Sequence, residues 1–250
     1  MPIGTWVLEH AAPLRLAAFL FFVALFTVAE LRRPRRARSR PALRRLPLNY
    51  GLMLAGALLT RLAVPAGAIG AALWAESKGL GLLQGAPDAL RWAAGLAGLD
   101  LAIYAQHVAF HRIPWLWALH RLHHSDVDLD VSSGVRFHPL EILLSMGWKL
   151  AVVAALGLPA AAVLLYEAAL VCASIAIHSN TGLPPSLEAR TRRVFVTPDL
   201  HRIHHSVLVE ESNRNFGTIT PVWDRLFRTF RSEPREGQVG MRLGVEPDAG

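Results

Sequence analysis

Five apolar stretches, each near or above the roughly 20 residues that cross a bilayer core, constrain this chain most. They cover residues 14–31, 46–75, 91–110, 140–157 and 160–177. Hydrophobic residue types make up 52% of the 250 residues, and the mean hydropathy is positive. An integral membrane protein with a modest polar part follows, and at this length a single domain is the default. The net charge of +7 would suggest a nucleic-acid partner in a soluble chain. Here eight arginines fall between Arg32 and Arg45, directly after the first apolar stretch. That is where the positive-inside rule puts them, on the cytoplasmic side. No basic face interleaved with aromatic residues is present, so no nucleic acid is expected.

The segment Leu14–Leu31 reads as a retained anchor, because its basic cluster follows the apolar run and no small-residue cleavage site is evident. Arg61 and Pro65 interrupt the second stretch, predicting a kink or short break. Residues 76–90 read as a short external loop. Gly157 and Pro159 divide the last two stretches into a hairpin that either crosses twice or re-enters. From 178 onward the chain is polar, with a loop at Pro184-Pro185 and a disordered tail expected from about Ser232. The organisation expected is 1–90 as N-terminal spans with an arginine-rich loop, 91–231 as a catalytic domain, and 232–250 as the tail. Lys149 and Glu167 each lie nine residues from Leu158, so an antiparallel hairpin turning there sets them at one depth. They either pair, or Lys149 snorkels while Glu167 faces a cavity. Cys172 is the only cysteine, which excludes an intrachain disulfide and any Cys-based zinc or iron–sulfur site.

Ten of the eleven histidines lie between residues 107 and 205. His107 and His111 form H-x-x-x-H. His120, His123 and His124 form H-x-x-H-H, and His201, His204 and His205 repeat it. His138 and His178 stand alone, and His10 is upstream and incidental. Counting spans from the arginine loop brings all ten to the cytoplasmic face. Neutral imidazole suits iron, zinc and copper. On a helix, positions i, i+3 and i+4 share a face. Adjacent histidines diverge by about 100°, so the paired ones can reach different metals. Two metals in one histidine cage are expected, with His107, His111, His120, His123, His124, His138, His178, His201, His204 and His205 as ligands. His138 and His178 have an alternative role, orienting a ligand through a hydrogen bond. Asp199 either does the same or caps its helix. The fold class expected is all-α, a polytopic membrane bundle with a cytoplasmic di-metal cap.

These residues resemble the fatty acid hydroxylase/sterol desaturase superfamily of membrane enzymes. The similarity covers about Asp100–Phe230. It runs through the three histidine boxes with Trp117, Ser125 and Ser206, through Arg136-Phe137-His138-Pro139-Leu140-Glu141 and His178-Ser179-Asn180, and through Thr197-Pro198. It continues to Asn215-Phe216-Gly217 and Trp223-Asp224-Arg225-Leu226-Phe227. Two positions depart from the usual pattern: Val108 replaces a frequent arginine, and Arg228 replaces a glycine. The resemblance implies a pair of iron ions, O2 as co-substrate, and hydroxylation or desaturation of a lipid C–H bond. The lipid could be a sterol, a fatty acyl chain or a related molecule. Asn180, beside His178, is expected to support the ligands. No haem-attachment motif, cysteine cluster or dinucleotide-binding glycine pattern occurs, so electrons come from a separate ferredoxin- or cytochrome-type donor with its reductase. The basic face either docks that donor or only orients the protein and binds anionic lipid.

The rival reading is a histidine-rich zinc or metal protein, either a hydrolase or a transporter. A hydrolase would need a carboxylate base as in H-E-x-x-H, which is missing. A transporter would place its ligands at mid-membrane on broken helices. A bis-histidine haem carrier would need far fewer histidines.

Overall fold

The computed structural model describes residue 6 and residues 8–246, and it is all-helical apart from one antiparallel bridge between Ser206 and Leu243. The long helices are α1 (Ala11–Arg32), α2 (Ala42–Ala63), α3 (Gly67–Ser77), α4 (Asp88–Arg112), α6 (Pro139–Leu156) and α7 (Ala160–His178). The others are α5 (Pro114–His124), α8 (Pro185–Thr191), α9 (Pro198–His204), α10 (Val209–Ser212), α11 (Val222–Leu226) and α12 (Gly237–Gly240), with a 3-10 turn at Val131–Val135. Among the described residues four helical stretches are long and apolar enough to cross a membrane: Ala11–Arg32, Leu43–Ser77, Pro139–Leu156 and Ala160–His178. The chain is therefore a multi-pass membrane protein. The expected span 91–110 lies within α4, which is not among the four. Asp88, Arg91, Asp100 and Arg112 dilute its apolar character, and its inner end carries polar side chains for the site.

Named contacts fix the helix directions. Asn49 of α2 bonds Ser132 and Arg136 at one end of the molecule, and Gly56 lies against Ile142. Farther along, Gly81 abuts Gly157 at the opposite end. The arm α2–α3 thus runs beside α6 in the same direction. It breaks at Val64–Ala66, where Pro65 interrupts the helix as the sequence predicts. Helix α4 returns: Arg91 donates to the Gly157 carbonyl at 3.2 Å, Trp148 Nε1 donates to Ala102 O, and Gln106 reaches Ser145. Helix α7 also returns, turning from α6 at Gly157, whose φ of 69° favours glycine. In α1, Arg15 approaches Glu167 while Glu30 accepts from the Asn180 amide, so α1 runs alongside α7.

The bundle is polarised. At the turn end a core of small and branched residues packs Ala68, Ala72, Leu99, Val153, Leu158 and Val163. On the outside, Leu16, Leu20, Phe21 and Leu25 of α1 and Leu54, Leu58 and Leu62 of α2 are exposed, a belt suited to lipid. At the other end the buried residues are polar and histidine-rich. Lys149 and Glu167 pair at 2.6 Å inside the hairpin, and Arg15 stands 3.3 Å from the same carboxylate.

The tail expected to be disordered from Ser232 instead folds back through residue 246. Met241 and Leu243 pack on Leu129, Gln238 donates to Asp199 O, and the Gly244 amide donates to His205 O. Apolar burial and these backbone bonds give the segment what composition did not reveal. Residues 247–250 lie outside the described residues.

Candidate metal centre

Helix α4 brings His107 and His111, one turn apart, to the polar end. Pro114 then disfavours helical geometry at Ile113, whose φ and ψ are −100° and 117°, and the chain bends into α5. That bend folds His120 back onto His107, with ring centroids 5.0 Å apart. On the far side Thr197 caps α9 by accepting from the Leu200 amide, and Pro198 occupies its first turn. His201, His204 and His205 follow.

The rings gather into two groups. His107, His111, His120, His124 and His204 form one; His123, His178, His201 and His205 form the other. Within each group one nitrogen per ring lies within 4.8 Å of the others, close enough to hold a metal ion. The adjacent histidines diverge: His123 and His124 join different groups, as do His204 and His205. His124 and His205 stack between the groups at 4.4 Å.

Most rings are held by their outer nitrogen. His107 Nδ1 donates to Phe216 O at 2.7 Å, His123 Nδ1 to Arg136 O at 3.1 Å, His178 Nδ1 to Ser174 O at 2.7 Å, and His204 Nδ1 to Arg214 O at 2.8 Å. A carbonyl only accepts, so Nδ1 carries the proton and Nε2 presents a lone pair. His120 Nδ1 meets the Glu141 carboxylate at 2.6 Å, with both groups buried. The consequence is physical. His123 and His178 point two lone pairs at each other across 3.0 Å, and His107 and His120 do so across 3.2 Å. Two neutral imidazoles with those tautomers cannot hydrogen-bond to one another there. A cation shared between lone pairs resolves the repulsion, so the donor set fits a metal in each group. The buried His204 Nε2 also lacks a hydrogen-bond partner.

Phe137 stacks on His123 at 4.2 Å, and Phe110, Trp117 and Phe216 enclose the other group. Burial disfavours the charged imidazolium, and neighbouring imidazoles add to it. His123, His124, His201, His204 and His205 are therefore held well below the usual 6.5, in the neutral form that binds metal.

Three of the expected site residues lie elsewhere. His138 joins neither group; it precedes α6, and its Nδ1 accepts from the Leu140 amide. The next residue, Pro139, begins α6, so His138 stays at the cap position. Asn180 exchanges hydrogen bonds with the Arg36 backbone rather than with a histidine. Asp199 pairs with Arg35 at 2.9 Å and Arg202 at 2.6 Å, and Thr197 takes the cap. His10 is distant and stacks on Trp6.

Other residues do work that the sequence reading did not assign. Glu141 was visible within its motif, and its position two residues from Pro139 was the available hint. Asp126, Asp128 and Asp130 alternate beside the first H-x-x-H-H box. Buried Arg45 bonds Asp126 and Asp130 and also the Asp128 carbonyl, while Asp128 accepts from the backbone amides of Ser39 and Arg40. Burial raises the Asp126 carboxyl, but the bonds from Arg45 outweigh this and hold it below the usual range. Asp224 accepts from the Phe216 and Gly217 amides and so aims the Phe216 carbonyl at His107.

The sequence profile of the family described as "Fatty acid hydroxylase" matches residues 92–229, more than half of the chain. The chain belongs to the fatty acid hydroxylase family. Both histidine groups fall inside that match. Among its relatives, the ornithine lipid hydroxylase OlsE of Rhizobium tropici is 32% identical over 160 residues, 63% of this chain and 46% of that protein. The alkylglycerol monooxygenase of Homo sapiens is 28% identical over 152 residues, 60% of this chain and 33% of its own length. That of Danio rerio is 28% identical over 146 residues, or 58% and 32%. The chain thus spans less than half the length of each of these relatives. No solved structure matches the chain.

Proposed function

We propose that this chain is a membrane-bound, O2-dependent oxidoreductase that hydroxylates or desaturates a lipid C–H bond. Two iron ions would be held by His107, His111, His120, His124 and His204 on one side and by His123, His178, His201 and His205 on the other. The observation that carries this reading is the opposed pair of imidazole lone pairs in each group, 3.0 Å apart in one and 3.2 Å in the other. When bound, the irons would supply activation of O2 and oxidation of an unactivated C–H bond.

The protein's own part is positional. Five rings are fixed through Nδ1 by carbonyls or by Glu141, so their Nε2 atoms need no reorganisation to bind. The Glu141 carboxylate makes His120 a stronger donor. Phe110, Trp117, Phe137 and Phe216 keep water from the rings. His138 is outside the ligand set.

Relatives named for ornithine lipid and alkylglycerol support a lipid substrate here. Electrons would come from a separate ferredoxin- or cytochrome-type protein. Arg32, Arg33, Arg40 and Arg44 are exposed at the histidine end, which supports a cytoplasmic site and C-terminus under the positive-inside rule.

The test is lipid mass spectrometry of cells with and without the gene, in air and without O2. A lipid heavier by one oxygen marks hydroxylation, and one lighter by two hydrogens marks desaturation; no O2-dependent product would overturn the proposal. Purified protein should carry about two irons per chain without a haem Soret band.

A further inference from the structure

Beside the five-histidine group lies an open cavity of about 470 Å3 that the ligand set leaves unused. Three arginines line it: Arg112 at the end of α4, Arg214 after α10, and Arg228 after α11. The one acidic residue in its wall, Glu210, is exposed and stands 4.0 Å from Arg235. Among the described residues the Arg112 and Arg228 guanidinium groups have no hydrogen bond or ion pair, while Arg214 donates to the Arg228 carbonyl at 2.7 Å. Arg228 has a φ of 60°, in the left-handed region where glycine is favoured and a long side chain is strained.

The cavity adjoins the histidines. Asn213 and Arg214 are neighbours in its wall, and the Arg214 carbonyl accepts from His204 Nδ1 of the five-histidine group. Its rim also has an apolar part, exposed Val209 and Phe227, with Phe227 stacked on Tyr104 at 5.6 Å. We propose that Arg112, Arg214 and Arg228 bind the anionic headgroup of a lipid, a carboxylate or a phosphate, and hold the lipid by that end next to the five-histidine group. Guanidinium forks recognise both anions through paired hydrogen bonds. The concave shape selects a headgroup over a protein surface, and the apolar rim selects a lipid over a free anion. That the bound lipid is the substrate rests on the oxygenase reading; that the site binds it does not.

The full chain in non-ionic detergent would be titrated with dihexanoyl phosphatidylglycerol, neutral dihexanoylglycerol and inorganic phosphate. Arg112→Gln and Arg228→Gly would be compared with the parent, with metal content as the check on folding. Glycine suits the φ at 228, so that variant retains the fold. The phosphatidylglycerol lipid is expected to bind at least about tenfold tighter than either other probe, and each variant to lose about tenfold for it alone. Unchanged binding in both variants would overturn the site. Equal binding of inorganic phosphate would overturn the lipid assignment, and so would intact lipid binding combined with weakened binding of an acidic electron-donor protein. Because binding is read without turnover, a failed oxygenase assay beside intact headgroup binding would count against the function and not the site.

Discussion

Each ring in the two histidine groups has two nitrogens, and in five of the nine the protein spends Nδ1 on orientation. Glu141 is the one side chain among those anchors; the others are carbonyls. Glu141→Gln keeps the size but removes the charge that strengthens His120, so metal affinity should fall about 10–100-fold while the helices persist. Competition with a chromogenic chelator would measure it, and an unchanged affinity would refute the role. The cage also has a definite pH response. His123, His124, His201, His204 and His205 titrate below 6.5 when folded and near 6.5 when unfolded, so acidification loads protons onto the unfolded chain first. Metal-free protein should therefore keep its stability above pH 6.5 and lose it progressively below. Thermal unfolding at stepped pH would show this, and a flat profile down to pH 5 would contradict it.

At the scale of elements, helix ends carry the chemistry and buried charges lock helices together. The α6–α7 hairpin holds Lys149 against Glu167, with side-chain exposures of 12% and 4%. Lys149→Met leaves the carboxylate with only the half-exposed Arg15, and should cost about 3 kcal/mol or more. Adding Glu167→Leu removes the stranded charge and should recover much of that loss. Unfolding in detergent would compare the two, and a double variant no better than the single would refute the pairing. The arginine-rich segment divides in a similar way. Arg35, Arg38 and Arg45 form internal ion pairs, while Arg32, Arg33, Arg40 and Arg44 stay exposed. Only the second set is available for lipid headgroups or a docking partner. An arginine count along the chain could not separate them, because the acids that pair with Arg35 and Arg45 are more than eighty residues away in sequence.

For the whole molecule, the bundle is apolar at one end and polar at the other, and the tail closes the polar end. Ending the chain after Arg231 would uncover Leu129 and strip Arg202 and Asp199 of Gln238. The loss of buried Met241 and Leu243 alone is worth about 1.5–3 kcal/mol per side chain. The truncated protein should insert in membranes yet melt lower and release metal faster; full metal retention would show the tail to be dispensable. The α4 helix is a second lesson in scale. Its inner end is polar because it furnishes the cage and its outer end packs on Leu156 and Leu158, so hydropathy along the chain describes it poorly.

By itself the sequence determined the all-helical membrane class, the break at Pro65, the depth match of Lys149 with Glu167, and the boxes that supply eight of the nine gathered histidines. These are local properties: apolar length, proline chemistry and helical spacing act over a few residues. Only the tertiary structure decided which histidine joins which group, that His138 caps a helix, and that Asp199 and Asn180 serve the arginine loop. It also decided that the tail is folded and that Arg228 faces a cavity beside the site. All but the His138 cap, which is made locally with the Leu140 amide, depend on partners tens to hundreds of residues away, such as Arg35 with Asp199 or Arg36 with Met241. No periodicity along the chain encodes such contacts; they exist once the helices have packed.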